Sequence, residues 1–316
     1  MRAFFKSKTE SPGESRLSFG AYCLRASLPL LLCLIAAACA QRHEPSASGR
    51  AFADEIGREI KVTEHPQRIV SLAPSVTETL FALGLGDRVV GVTSYCDYPP
   101  EAAEKEKVGD TLRPSIERIV ALKPDLVVAS TASQLEQFVR DLDKVGIPVY
   151  VSNPRDLEGV LRSIGMIGDI TRAGDRAEGL TGDMRARVNA IESRMAGIKQ
   201  RPKVLFVLGV EPLITVGGAS FINEMISRAG GDSVSAGLDA EYPTFSLETA
   251  VASRPEVIFF QAGGEKLPEW LKGTPAARSG RVFHIDDNLL LRPGPRIVDG
   301  LEQMASRIHP ELFAAQ

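Results

Sequence analysis

The chain has 316 residues, of which 44% are hydrophobic and 24% are charged, and its formal net charge is −3 at pH 7. This length leaves room for two domains, and the composition is ordinary for a folded protein. A mildly acidic chain lacks the basic surface with which proteins bind nucleic acid, so nucleic acid is excluded as a partner.

The N-terminus has a basic region followed by an apolar run from Leu28 to Ala38. A helix that spans a bilayer needs roughly 20 apolar residues, so this shorter run predicts a secretory signal peptide over residues 1–38. Its end, Ala36-Ala37-Ala38-Cys39, resembles the lipobox of bacterial lipoproteins, in which the cysteine is lipidated. Ordinary cleavage that leaves Cys39 unmodified is the alternative. The sequence does not distinguish which membrane leaflet would hold the lipid. With Cys39 lipidated, Cys96 has no partner for an intrachain disulfide.

The segments that follow indicate a first α/β lobe over residues 54–155. Residues 39–53 are small and polar and are predicted to form a lipidated tether. Polar and apolar residues alternate over residues 54–63, as in an edge hairpin. Ser75 and Glu78 have the spacing of a capping box at the start of a helix. Strands are predicted at 68–72, 89–92, 126–128 and 149–151, and helices at 75–83, 115–123 and 134–145. Strands that alternate with helices in this way favour a parallel sheet.

The middle of the chain shows helical spacing and no strand pattern from Asp156 to Gly197. A polar break near residues 171–175 divides this stretch, and its second part predicts a helix about 36 Å long. We therefore predict a connecting helical segment over residues 156–200. The strand and helix alternation then resumes and predicts a second α/β lobe over residues 201–316.

A gapless internal repeat relates the two predicted lobes. Residues 115–127 and 246–258 each begin with Ser, carry Glu two positions later and reach Pro after a short helical pattern. Ser favours the N-cap, Glu the first turn, and Pro ends the helix before a short aliphatic strand. The repeat therefore places Glu117 and Glu248 at equivalent positions on two similarly built lobes.

Residues 69–78, 91–99 and 117–127 resemble the substrate-binding proteins of ABC importers for cobalamin, ferric siderophores and haem. The stretch Tyr95-Cys96-Asp97-Tyr98-Pro99 is closest to the cobalamin-binding branch, and the resemblance covers nearly all of residues 66–310. It implies the class III periplasmic-binding-protein fold: α/β, with two lobes that each have a central, mostly parallel sheet flanked by helices, joined by a single long connecting helix. It also implies a periplasmic, membrane-anchored monomer that serves an ABC permease and its ATPase subunits.

The resemblance also implies roles for particular residues. Glu117 and Glu248 would dock the lobes onto the permease, although a Glu at either position also simply favours a helix N-terminus. Loops at the carboxyl ends of strands in both lobes are expected to enclose the ligand. An aromatic lining there suits a large planar ligand with an apolar face. The candidate ligand-binding residues are Tyr95, Asp97, Tyr98, Tyr242, Phe245, Asp287, Asn288, Arg292 and Arg296.

The expected ligand is a corrinoid, in the first place cobalamin. Several pocket positions of the cobalamin branch are Trp, and here Thr111, Ser130 and Tyr242 stand at the matching places, so a ferric siderophore or haem is the alternative. The four His form no pair at metal-ligand spacing, so no metal site and no resident cofactor are predicted. No nucleophile and base motif is found, so we predict that the chain is not an enzyme; an exported enzyme acting on tetrapyrroles or metal chelates is the remaining alternative.

Overall fold

The computed structural model describes residues 49–131, 136–261 and 268–313. The predicted signal peptide, Cys39 and the first part of the predicted tether lie outside the described residues. Within the described ranges, no helix combines the length and the apolar character needed to cross a membrane.

The first lobe is an α/β unit, as the sequence predicts. Its elements are β1 (Gly49–Ala53), β2 (Glu59–Thr63), β3 (Ile69–Ser71), α1 (Pro74–Ala82), β4 (Val89–Val92), α2 (Pro100–Ala103), β5 (Glu106–Lys107), α3 (Ile116–Ala121), β6 (Leu126–Ser130), α4 (Glu136–Lys144) and β7 (Val149–Ser152). Strands β3 to β7 form one sheet in the order β5-β4-β3-β6-β7, and all of its neighbouring strands are parallel.

Strands β1 and β2 form an antiparallel hairpin that corrects the predicted tether. The sequence predicts a tether up to residue 53, whereas Gly49 pairs with Thr63 and the pairing continues to the turn. The Asp54 carboxylate stabilises this turn, because it accepts hydrogen bonds from the backbone N–H and from Nη2 of Arg58, both at 2.7 Å. Ile60 on β2 is buried. Burial and the Asp54 turn therefore outweigh the polar composition, and the first lobe begins at Gly49.

Two helices, α5 (Leu157–Thr171) and α6 (Gly174–Met195), form the connecting segment. They pack against each other, and the break between them falls where the sequence predicts it. Arg172 ends α5 in the left-handed conformation, with φ of 60°. Helix α6 has 22 residues, which corresponds to about 33 Å. The long connecting helix is therefore confirmed, with α5 as a second helix beside it.

The second lobe has the same α/β character. Its elements are β8 (Lys203–Val210), β9 (Leu213–Thr215), α7 (Phe221–Arg228), β10 (Asp232–Ser233), α8 (Leu247–Ala252), β11 (Val257–Gln261), α9 (Pro275–Arg278), β12 (Val282–Ile285), α10 (Asp287–Leu290) and α11 (Ile297–Ile308). Its sheet has the order β10-β8-β11-β12 with parallel neighbours, and β9 pairs antiparallel with β8.

One continuous cluster of buried apolar side chains joins both lobes through the connecting helices. It includes Leu80 of α1, Ile164 of α5, Met184 of α6 and Leu301 of α11. Helix α5 packs on α1 of the first lobe, and α6 packs on α7 and α11 of the second. Because tightly packed apolar interiors resist deformation, this shared core holds the two lobes in a fixed relation.

The internal repeat is confirmed in backbone detail. Ser115 caps α3 by accepting from the Arg118 N–H at 3.3 Å, and Ser246 caps α8 by accepting from the Thr249 N–H at 3.1 Å. Each helix is followed by a non-glycine residue in the left-handed region, which is Lys123 with φ of 47° after α3 and Arg254 with φ of 54° after α8. The two copies therefore share their caps and their exits as well as their sequence pattern.

Candidate functional site

A cavity of about 380 Å³ lies between the lobes. It is formed by loops that follow β3, β6 and β7 in the first lobe, which is where crevices form at the carboxyl ends of parallel strands. Its polar first-lobe lining consists of Ser75, Thr111, Ser130, Thr131, Asn153 and Arg155. From the second lobe the cavity is lined by Ala219, Phe221, Glu241, Tyr242, Leu290 and Arg292, among others. We refer to this cavity as the cleft.

The cleft contains all three positions that the sequence analysis matches to pocket tryptophans: Thr111, Ser130 and Tyr242. Parallel pairing of β6 with β7 brings the ends of these strands side by side, and the Thr131 hydroxyl donates to Asn153 Oδ1 at 2.6 Å. Tyr242 is 48% exposed. Burial of the rest of its ring, and then the neighbouring Glu241, raise the pKa of the phenol, so it is a neutral hydrogen-bonding group.

One charged pair crosses the cleft beside Tyr242. Arg155 Nη1 of the first lobe lies 3.6 Å from Glu241 Oε1 of the second, and both side chains are more than half exposed. Exposed pairs of this kind contribute little to stability, because water screens the two charges. The pair therefore does not lock the cleft against an entering ligand.

A second set of interlobe charges is buried at one side of the cleft and centres on Glu78. Its side chain is 2% exposed and accepts hydrogen bonds from Arg296 Nε at 2.9 Å, Arg296 Nη2 at 2.7 Å and Arg292 Nη1 at 3.3 Å. Glu78 belongs to α1 of the first lobe, whereas both arginines precede α11 of the second. A carboxylate this deeply buried stays charged only with such partners. We call these three residues the interlobe charge cluster.

The position of Glu78 corrects the predicted capping box. Helix α1 begins at Pro74, two residues earlier than the box requires, and its N-cap Ala73 provides no side-chain hydrogen bond. Glu78 therefore lies inside the helix and points between the lobes. The sequence signal that would have found it is a single carboxylate in a helix with no other charged residue.

Asp97 extends the interlobe charge cluster towards solvent. Its carboxylate accepts from Arg292 Nη1 at 2.5 Å, and its side chain is 61% exposed. The hydrogen bond from Arg292 is the main reason that the pKa of Asp97 is lowered, with burial acting in the opposite direction. The carbonyl of Tyr95 also accepts from Arg292, at 3.4 Å. The candidate residues Tyr95, Asp97 and Arg292 are thus brought together, with Asp97 bound to the arginine.

Tyr98 and Arg296 line a different cavity. The Arg296 guanidinium stacks over the Tyr98 ring at 3.8 Å, and both residues border a groove of about 1320 Å³ at the side of the molecule. This groove is larger than the cleft, but it is formed by helix sides, including those of α1 and α6. Six acidic and three basic side chains are among the described residues that line it. Strand ends and loops from both lobes surround the cleft instead, so we take the cleft as the candidate site.

The remaining candidate residues lie apart from the cleft. The structure corrects the assignment of Phe245 to the ligand pocket. The residue is 9% exposed and belongs to the core cluster of the second lobe with Leu213 and Ala250, because the loop before α8 turns its ring inward. Asn288 lies in α10, and its backbone N–H donates to Asp286 Oδ1 at 2.9 Å. Asp287 begins α10, but its side chain lies outside the described residues.

Metal ligands do not cluster in the described ranges, where no group of three or more His, Cys, Asp or Glu side chains is placed to hold an ion. Cys96 is buried and its Sγ lies 3.1 Å from Thr77 Oγ1 and 3.2 Å from Thr93 Oγ1. His309 is buried as well, with its ring between Gly230 and Glu311. These contacts are structural.

Glu117 and Glu248 lie in the first turns of α3 and α8 and are exposed. Each carboxylate accepts a hydrogen bond at 2.9 Å from the capping Ser two residues earlier. A hydrogen bond from the residue's own backbone N–H, and then the one from Ser, lower the pKa of both carboxyl groups. Both lobes therefore present an oriented, ionised carboxylate at equivalent positions.

Replacing Ser115 with Ala should raise the pKa of Glu117, because one of the two hydrogen bonds to its ionised form is lost. Ser246→Ala should do the same for Glu248. The pKa remains below the ordinary value in each case, since the backbone hydrogen bond persists. Carboxyl carbon shifts followed by NMR across acid pH measure this, and an unchanged pKa in either variant would show that the capping Ser does not hold the carboxylate.

Comparison with known proteins gives the family. The family described as periplasmic binding protein matches residues 69–289. An uncharacterised ABC transporter substrate-binding lipoprotein of Bacillus subtilis is 32% identical over 271 residues, 82% of this chain and 85% of that protein. Among solved structures, a periplasmic vitamin B12-binding protein of Vibrio cholerae is 30% identical with a TM-score of 0.69, covering 79% of this chain and 99% of that one. A periplasmic heme-binding protein from Roseiflexus sp. RS-1 is also 30% identical, with a TM-score of 0.70 and coverage of 78% and 99%.

These matches cover both lobes and the connecting helices, and they agree with the fold predicted from the sequence. They are proteins that bind and carry a solute. The predictions that the chain is not an enzyme and that it has no resident cofactor are confirmed by this membership, and the alternative of an exported enzyme is set aside. The chain belongs to the periplasmic binding protein family and is a substrate-binding protein of an ABC importer.

Proposed function

We propose that the protein binds cobalamin or a related corrinoid in the cleft and delivers it to an ABC permease. The observation that carries this proposal is the neutral polar lining: Thr111, Ser130, Thr131 and Asn153 present hydroxyl and amide groups to the cavity. A corrinoid carries amide side chains around its rim, and such groups pair with neutral donors and acceptors. Tyr242 adds one aromatic face. Likeness to the vitamin B12-binding protein of Vibrio cholerae supports the same choice.

Haem or a ferric siderophore is the second candidate, because the heme-binding protein from Roseiflexus is as similar to this chain as the vitamin B12-binding protein is. Among the described residues that line the cleft, the Tyr242 phenol and the Glu241 carboxylate are able to ligate a ferric ion. The raised pKa of Tyr242 disfavours the phenolate that would bind iron, and Glu241 is paired with Arg155, so we favour the corrinoid.

We propose that Glu117 and Glu248 are the docking residues for the permease. Their support is the equivalence of the two positions, the exposure of both side chains and the hydrogen bonds that keep both carboxylates ionised. Two fixed negative charges, one on each lobe, would orient the protein on the permease as well as attract it, because complementary charges set the register of an interface.

We further propose export and lipidation at Cys39, so that a monomer is held at the periplasmic face of a membrane by residues 39–48. The lipobox-like sequence and the likeness to a lipoprotein of Bacillus subtilis support this. A monomer suffices because one chain supplies both lobes of the cleft. Metabolic labelling with palmitate tests the anchor: Cys39→Ser should lose the label, and an unlabelled wild-type protein would contradict lipidation.

Titration of the purified protein with cyanocobalamin, hemin and a ferric siderophore tests the ligand, followed by absorbance and by heat. We expect one equivalent of cyanocobalamin to bind without chemical change, and more tightly than the other two. A protein that binds hemin or the siderophore but not cyanocobalamin would overturn the proposed corrinoid ligand and leave the importer role intact.

A further inference from the structure

Charge balance distinguishes the cleft from the side groove. Among the described residues that line the cleft, Arg155 and Arg292 are positive and Glu241 is negative. Arg155 lies beside Glu241, and Arg292 is bound to Asp97 and Glu78. The side groove has acidic side chains in excess, so an anion is repelled less in the cleft than in the groove.

The start of helix α1 adds to this polarity. Ala73, Pro74 and Ser75 line the cleft, and the N-cap Ala73 has no side-chain oxygen that could cap the helix. The first helical hydrogen bond runs from the Thr77 N–H to the Ala73 carbonyl at 3.0 Å. The N–H groups of Ser75 and Val76 therefore precede the hydrogen-bond ladder of a nine-residue helix, whose N-terminal end carries a partial positive charge.

The Ser75 side chain is a second, independent sign of a ligand. The residue is 8% exposed and lines the cleft, and its hydroxyl has no hydrogen-bond partner among the described residues. The hydroxyl oxygen is not fully enclosed by protein, so it is open to the cavity, where a ligand can reach it. Helix α7, which also starts beside the cleft, has no such need: its cap Ser220 donates to the Gly217 carbonyl at 2.8 Å and accepts from the Asn223 N–H at 3.1 Å.

The loop that carries Arg292 lies directly against this helix start. A Cβ atom on Gly294 would be only 3.1 Å from the Ser75 carbonyl oxygen, so the backbones of the two lobes meet here. Arg292 also lines the cleft, and its guanidinium is bound to Glu78 and Asp97. The Ser75 hydroxyl and the uncapped N–H groups of the first lobe and Arg292 of the second thus border one cavity.

We propose that Ser75 and the uncapped first turn of α1 form a subsite for one oxyanion of the ligand, a carboxylate or a phosphate. The Ser75 hydroxyl donates to one of its oxygens and the first-turn N–H groups of α1 face it. Arg292 lies nearby, with its guanidinium shared with Glu78 and Asp97. This subsite rests on the proposed function of the cleft. In a corrinoid the oxyanion is the phosphodiester of the nucleotide arm, and in a haem it is a propionate.

Two ligand pairs that differ in the anion test the subsite. Cyanocobalamin is compared with dicyanocobinamide, which lacks the nucleotide arm and its phosphate, and hemin with its dimethyl ester. Ser75→Ala should weaken binding of the anionic member of a pair by about tenfold, as the loss of a hydrogen bond to a charged group does. It should leave binding of the other member, which lacks the anion, nearly unchanged. Ser75→Asp places a negative charge at the subsite and should weaken binding of the anionic member still further.

Thr111→Val is the matched control, because it removes a cleft hydroxyl from a loop outside the helix start. Any change that it causes should apply to both members of a pair alike. Equal effects of Ser75→Ala on both members, or no effect on either, would overturn the subsite even if cyanocobalamin binds. If only the hemin pair binds and Ser75→Ala separates its members, the corrinoid proposal fails and the subsite stands, with a carboxylate as the anion. A wild-type protein that binds none of the four ligands would overturn both.

Discussion

Glu78→Ala should lower the free energy of unfolding by about 3–5 kcal/mol, because it leaves two partly buried guanidinium groups without their common, buried partner. Glu78 is 2% exposed, whereas Arg292 and Arg296 are 14% and 17% exposed. The arginines approach from the second lobe, so part of the lost free energy belongs to the contact between lobes. Chemical denaturation monitored by circular dichroism measures the change.

Asp97→Asn is the control for this prediction. Asp97 binds the same Arg292, but its side chain is 61% exposed, and exposed pairs contribute only about 0–1 kcal/mol. The two carboxylates therefore separate the effect of burial from that of the ion pair itself. Equal destabilisation by both substitutions would contradict the central place of Glu78 in the interlobe charge cluster.

Replacing both Glu117 and Glu248 with Arg should reduce ligand uptake by more than about tenfold, since a like-charge contact at an interface costs several kcal/mol. Ligand affinity should be unchanged, because neither residue lines the cleft. Uptake of labelled ligand by cells that carry the cognate permease, together with titration of the purified variant, measures the two quantities separately.

The matched control is the pair Glu136→Arg and Glu158→Arg. Both are exposed glutamates in the first turns of helices, α4 and α5, so the change in net charge is the same. Uptake should stay close to wild type in this control. Equal loss of uptake in both double variants would assign the effect to overall charge and contradict specific docking.

The fixed relation of the lobes is what makes these carboxylates useful. The continuous core through α5 and α6 and the interlobe charge cluster both connect the lobes. A permease that contacts Glu117 and Glu248 together therefore meets a defined spacing.

The sequence predicted those parts of the fold that depend on local pattern. Helical spacing from Asp156 to Gly197 identified α5 and α6, and the repeat identified two equivalent caps because Ser at the N-cap acts within one turn of helix. Thr111 and Ser130, which the resemblance matched to pocket positions, line the cleft in the structure.

The parts that the sequence did not predict depend on contacts between distant segments. Glu78 and Arg296 are 218 residues apart, and the pattern around Glu78 fits a capping box equally well. Phe245 was assigned to the pocket by its position before α8, but a loop residue's ring faces the core or the cleft according to tertiary packing. The hairpin at Gly49 forms through cross-strand pairing that a polar composition hides.

We expect the ligand to bind in the cleft and not in the larger groove. One alanine in each cavity allows a direct comparison of the two. Ala219 lines the cleft and Ala186, on α6, lines the groove; both are exposed. A Trp at either exposed position fills part of its cavity and so takes up volume that a ligand bound there would need. Affinities for cyanocobalamin, measured by calorimetric titration of both variants, test the claim. Ala219→Trp should weaken binding by about tenfold or more while Ala186→Trp retains wild-type affinity; weakened binding in Ala186→Trp with wild-type affinity in Ala219→Trp would contradict it.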